Sequence, residues 1–149
     1  MKKLLFFLLI FLQGGFAVNA QQTVTAAPVP GTNNQEIRKA TEVLSAKYSL
    51  NADQAKQMYT IQVRKAKNLA EIADYQNSDP ALFRAKTQNV QKSTLGNIRR
   101  ILNTKIQVDL YQKTQAEIRE LRNKKQKELV SNKASTAEIE TALLGIYAE

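Results

Sequence analysis

From residue 36 to residue 149 apolar side chains recur every three or four positions, and a single proline, Pro80, interrupts the pattern. That spacing matches the 3.6-residue turn of an α-helix and not the twofold alternation of a half-buried strand. The chain therefore reads as all-α, with four to five helices. A first helix is expected from about Glu36 to Tyr48, with Ile37, Ala40, Val43, Leu44 and Tyr48 on one side. Asn51 followed three places later by Gln54 has the form of a capping box, in which the Asn side chain takes an orphan backbone N–H and Gln reaches back. A long second helix should start there, with Ala55, Met58, Tyr59, Ala66, Leu69, Ile72 and Ala73 inward.

Asn77-Ser78-Asp79-Pro80 is the clearest punctuation, since Asp79 can cap and proline loses nothing at the first helical position. The third helix then carries Phe83, Val90, Thr94, Ile98 and Ile101. Leu102-Asn103-Thr104 repeats the cap signal, and Ile106, Leu110, Tyr111, Ile118, Leu121 and Leu129 form the expected inward stripe of a fourth helix. The cap signal leaves open whether these two helices are separate or one bent rod. Ser135 with Glu138 makes a last capping box before a short helix with Ile139, Ala142, Leu143 and Ile146.

The N-terminal segment has a different character. Lys2 and Lys3 precede an apolar run from Leu4 to Leu12, and small residues end at Ala20. This is the pattern of a signal peptide, with cleavage after Ala20; an uncleaved N-terminal anchor is the competing reading. The run is shorter than the roughly 20 residues of a membrane helix, and no later segment approaches that length, so no stable membrane insertion is expected. Residues 21–35 contain two prolines, a glycine and many amides and hydroxyls without apolar periodicity, and read as a flexible leader. Residues 36–149 are then a single helical domain. Absence of cysteine excludes a disulfide framework, and export without disulfides suits a bacterial periplasm.

The chain also has no histidine or tryptophan. The usual general base, the thiolate nucleophile and the commonest zinc and copper ligands are thus missing, as is a glycine-rich phosphate loop. No catalytic residue, metal or cofactor is expected. The acids mostly sit beside lysine or arginine at helical spacing; Glu120 with Lys124 can pair across one turn. Losing Lys2 and Lys3 with the signal lowers the formal charge from +9 to +7. Between Pro80 and Val108 there are Arg84, Lys86, Lys92, Arg99, Arg100 and Lys105 and no acid, so one helix face attracts anions while the other packs. A basic surface with no ligand is the plainer reading of the same residues. Nucleic acid is not expected, since only Phe83 lies within that stretch for stacking and the apolar stripe claims it.

Sliding the chain by 52 residues aligns Leu50-Asn51 with Leu102-Asn103 and Met58-Tyr59 with Leu110-Tyr111, although any two amphipathic helices can be slid into register. Leu50-Asn51-Ala52-Asp53-Gln54 resembles the Leu-Thr-x-x-Gln motif that occurs twice in the Spy/CpxP-like periplasmic proteins, with Asn in place of Thr. In the second copy, Leu102-Asn103-Thr104-Lys105-Ile106-Gln107, Ile106 stands where Gln is expected and Gln107 comes one residue late; Tyr111 fits the motif's continuation. The resemblance implies an elongated helical hairpin that pairs into a thin, curved antiparallel homodimer, and an ATP-independent chaperone or envelope-stress protein that captures unfolded or misfolded envelope proteins. Gln62, Thr114 and Lys125 interrupt the apolar stripes, which suits a shallow mixed surface in a positive field. On that reading Arg84, Lys92, Arg99 and Arg100 attract clients. Met58, Leu69, Ile72, Ile98 and Leu110 contact clients or a second subunit. Leu50, Asn51, Gln54, Leu102 and Asn103 set the helix starts. The alternative is a non-catalytic envelope scaffold that engages an acidic partner or polyanion.

Overall fold

The protein is described by a computed structural model covering residues 34–147. Residues 1–20, expected to be a signal peptide, and nearly all of the expected leader lie outside the described residues. These form six helices and no strand: α1 (Asn34–Lys47), α2 (Ala52–Glu71), α3 (Tyr75–Ser78), α4 (Pro80–Ile101), α5 (Lys105–Ser131) and α6 (Thr136–Leu144). Two differences from expectation concern boundaries. Helix α1 begins at Asn34, so the last two residues assigned to the leader are already helical. The four-to-five count misses α3, a single turn in the segment expected to be a break, which has no side-chain cap and no buried residue.

Helices α2, α4, α5 and α6 start where a side chain satisfies an orphan N–H group of the first turn. Asn51 accepts from Gln54 N at 2.9 Å, Asp79 from Leu82 N at 3.0 Å with Pro80 in the first turn, and Ser135 from Glu138 N at 3.3 Å. Helix α1 ends with Ser49 at φ 50°, where Leu50 N donates to Ser45 O and Ser49 N to Ala46 O. This is a Schellman end, and it reverses the chain so that α2 packs back along α1. Helix α2 also packs on α4, its start beside the end of α4, so the two run antiparallel. The turn Leu102–Thr104 makes α4 and α5 two helices and not one bent rod. Helix α6 returns to pack on both α4 and α5.

The core is small and lies where α1, α2, α4 and the start of α5 converge. Leu44, Tyr48, Met58, Ile61, Ile98 and Leu102 are buried there, and Leu50, Ile101, Val108, Leu110 and Tyr111 pack around them. The Tyr48 and Tyr111 rings meet at 6.2 Å between centroids, tilted by 49°. Elsewhere the inward stripes are completed by Thr41, Gln62, Thr87, Thr94 and Thr114, all buried. Helix geometry absorbs some of these polar groups: Thr41 and Thr94 each donate to the carbonyl four residues earlier, at 2.8 Å. Gln62 and Thr114 are thus buried, whereas Lys125 stays at the surface and pairs with Glu128 at 2.7 Å.

The inward stripes expected for α1 and α5 need correction. Val43 is 59% exposed, Ile106 is 70% exposed and Leu121 is 52% exposed. On α5 the buried positions are Gln107 and Thr114, with Tyr111, Ile118 and Arg122 half-buried beside them. At 100° per residue this face lies about one residue round from the predicted one.

Truncation of Ile98 to Ala should destabilise the fold by about 2–5 kcal/mol, whereas Leu121→Ala should change it by less than about 0.5 kcal/mol; urea unfolding distinguishes the two. Glu138 offers a pH test. Hydrogen bonds from the Ser135 backbone and hydroxyl hold its carboxyl below the ordinary value of 4.5. Because the cap holds the carboxylate form, its contribution is complete above 4.5 and is lost as pH falls through the lowered folded-state value. Amide exchange in α6 should therefore quicken below about pH 4.5 relative to that in α2, and Glu138→Gln should flatten this dependence.

Candidate functional site

Helices α2 and α5 start side by side, and each carries a complete capping box. Asn51 is paired with Gln54, and Thr104 with Gln107. In each box the glutamine Oε1 accepts backbone N–H groups at the helix start: Asn51 N at 3.0 Å for Gln54, and Asn103 N and Thr104 N at 3.1 and 3.3 Å for Gln107. The two glutamines then bond each other. Gln54 Nε2 donates to Gln107 Oε1 at 3.0 Å, and Gln107 Nε2 donates to Gln54 Oε1 at 2.9 Å. The remaining donor capacity reaches into the facing turn: Gln54 Nε2 to Ile101 O at 2.7 Å and Asn103 Oδ1 at 3.2 Å, and Gln107 Nε2 to Ser49 O at 3.1 Å. Both side chains are 4% exposed.

This pairing corrects the internal register. The second N-cap is Thr104 and not Asn103, and the two boxes are 53 residues apart, not 52. Asn103 is one extra residue between Leu102 and the cap, so Gln107 stands at the equivalent of Gln54. The signal for this was present in Thr104-Lys105-Ile106-Gln107, which has the same cap-to-glutamine spacing as Asn51-Ala52-Asp53-Gln54. Aligning on Leu-Asn hid it.

The structure disperses the residues expected to contact a client. Met58 and Ile98 are fully buried and Ile72 is 8% exposed, so in the folded chain they build the interior and present no surface. Leu69 is half-buried, as is Leu110, which packs against the core. Leu50 packs on that core and Leu102 is inside it. Of the basic set, Arg84 is largely covered and pairs with Glu140 on α6 at 3.1 Å. Arg99 reaches Leu102 O at 3.4 Å and Arg100 reaches Asn97 Oδ1 at 2.9 Å, so both also serve the end of α4, where positive charge is favourable. Lys92 is exposed. Burial raises the Tyr111 phenol above its ordinary value of 10.0, while the charge of Arg99 acts in the opposite direction.

A second set of contacts, unforeseen in the sequence, fastens the C-terminal segment. Arg122 Nη1 donates to Ile146 O at 3.0 Å and to Leu143 O, taking up carbonyls at and beyond the end of α6. Gln91 Nε2 donates to Leu144 O at 2.9 Å, and the Tyr147 hydroxyl donates to Gln91 O. Lys65 lies over the Tyr147 ring at 5.3 Å.

Outward on α5 runs a strip in which exposed apolar residues are separated by charged ones. Ile106, Lys113, Glu117, Leu121 and Lys124 fall within about 90° of one another at 100° per residue, and all five are exposed. Lys113 and Glu117 approach each other at 4.0 Å, a contact of little worth at such exposure. No group of three or more carboxylates that could hold a metal ion occurs among the described residues, nor is any helix there long and apolar enough to cross a membrane. Comparisons with models of protein families, with curated proteins and with solved structures give no match.

The glutamine pair can be weighed by a double-mutant cycle. Gln54→Leu or Gln107→Leu alone leaves a buried amide without its partner and should cost about 1–3 kcal/mol. The double substitution should cost less than the sum by at least about 0.5 kcal/mol in chemical denaturation, since it removes both desolvated groups together.

Proposed function

We propose that this chain is an ATP-independent capture protein of the Spy/CpxP-like kind, which works in the periplasm after removal of residues 1–20 and holds unfolded or misfolded envelope proteins without catalysis. The observation that carries the reading is the outward strip of α5. Ile106 and Leu121 are more than half exposed, yet they lie apart and between charged residues. Dispersed apolar groups of this kind offer modest contacts that many unfolded sequences can use, and they avoid the continuous patch that would seal permanently against one partner. The excess of lysine and arginine draws acidic segments from a distance, and the strip supplies the short-range hold. The two N-cap-x-x-Gln boxes support the family reading, because both glutamines are used in one architectural element and the later one now has an equivalent place. A homodimer would use the same strip, with a second copy covering Ile106 and Leu121 in the absence of client.

The test is suppression of aggregation of a chemically unfolded client, without nucleotide. The protein should lower light scattering at equimolar ratio, and Ile106→Ser with Leu121→Ser should weaken that effect several-fold while leaving helix content unchanged. No effect at molar excess would reject the proposal. Tight binding to one polyanion that 0.5 M salt abolishes would favour the scaffold reading instead, since exposed charge pairs are screened within about 3–10 Å at such ionic strengths.

A further inference from the structure

Between α4, α5 and the segment after α6 lies an open groove of about 560 Å³, within the range of roughly 300–1,000 Å³ common to small-molecule sites. Its apolar surface comes from Leu95, Ile118, Ile146 and the rings of Tyr111 and Tyr147. Twelve residues line it, and the charged ones are Lys92, Arg119 and Arg122, with no acid among them. Lys92 and Arg119 make no ion pair among the described residues. Arg122 is held in place because one guanidinium nitrogen donates to Leu143 O and Ile146 O, leaving its other N–H groups for a further acceptor. Gln115, also in the lining, has its side-chain N–H group buried without a hydrogen-bond partner. At Gly96 a Cβ would meet no atom within 4 Å, so the groove extends up to the α4 backbone there.

We infer that this groove binds a small anionic amphiphile: a single aliphatic or aromatic body with one carboxylate, sulfonate or phosphate head. The body lies along Leu95, Gly96 and Ile118. The head meets Arg119, Arg122 and Lys92. A partly desolvated head facing three cations gains charge-assisted hydrogen bonds that an alcohol cannot match. The groove is distinct from the outward strip of α5, and its ligand does not depend on client capture. Covering the groove would add contacts between α4, α5 and the C-terminal segment, so ligand binding should also slow exchange in α6.

Decanoate, kept below its aggregation concentration, is the probe, and decanol is its uncharged counterpart. Calorimetry with the purified protein should give decanoate at least about tenfold tighter binding than decanol, the effect of one or more charge-assisted hydrogen bonds. Gly96→Leu projects a side chain into the groove while raising helix propensity, so the variant should keep its fold by circular dichroism and lose at least about tenfold in decanoate affinity. Arg119→Gln should reduce the decanoate preference and leave decanol unchanged. Equal affinity for the two probes, or decanoate binding indifferent to Gly96→Leu, overturns the inference. So does binding to phosphatidylglycerol vesicles that Gly96→Leu does not alter, in a protein that takes up no free decanoate, because a membrane surface would then account for the charge.

Discussion

The Gln54–Gln107 amide pair is the contact on which the rest of the arrangement depends. Each side chain closes its own helix start and bonds its counterpart across the interface, so the first turns of α2 and α5 cannot separate without stripping buried amides of their partners. Such amides are costly to leave unmade in a low-dielectric interior. Their outer donors also hold Ile101 O and Ser49 O, which belong to the two chain reversals that bring α4 and α1 to the same place. Tyr48, Met58, Ile98 and Leu102 then have a fixed cavity to fill. A polar hub therefore sets the geometry, and the apolar side chains around it supply most of the burial.

Away from the hub few apolar side chains are buried among the described residues. Buried positions on the long helices are as often Thr or Gln as Ile or Met, and each helix has few neighbours against which to bury a broad face. Threonines that donate to the carbonyl one turn back can sit in such an interior without a partner from another helix. One result is that several large apolar residues remain outside, among them Val43, Ile106, Leu121 and Val130. The outward strip of α5 follows from a fold with too little interior to cover it. Farther from the hub, α4, α5 and the C-terminal segment are held by Arg122, Arg84 and Tyr147 through polar contacts around a groove.

Much of the local structure was legible in the residues. The capping boxes at Asn51 and Ser135, the Asp79-Pro80 start and the stripe Phe83, Val90, Thr94, Ile98 and Ile101 lie where their patterns indicate, because caps and amphipathic faces depend on neighbours within one or two turns. The inward face of α5 differs from the one its apolar pattern predicts for a specific reason. Ile106 is more apolar than Gln107, and hydrophobicity alone turns Ile106 inward, but the glutamine side chain makes five hydrogen bonds and the isoleucine remains outside. Met58 and Ile98, expected to contact a client or a second subunit, fill the interior of the chain itself, since a stripe shows which residues share a face and not which neighbour covers it. Arg122, Gln91 and Tyr147 escaped notice because their partners are backbone carbonyls 21 to 56 residues away, which no local pattern marks.

Helical periodicity, capping residues and charge, all set by near neighbours in the chain, thus determined that the domain is α-helical, where most helices begin and that its surface is basic. Only the tertiary structure decided which face of α5 turns inward and that the segment after α6 borders a cationic groove. Those outcomes rest on satisfying buried amides and helix-end carbonyls across long separations, and the energy of a hydrogen bond depends on where its partner lies in space.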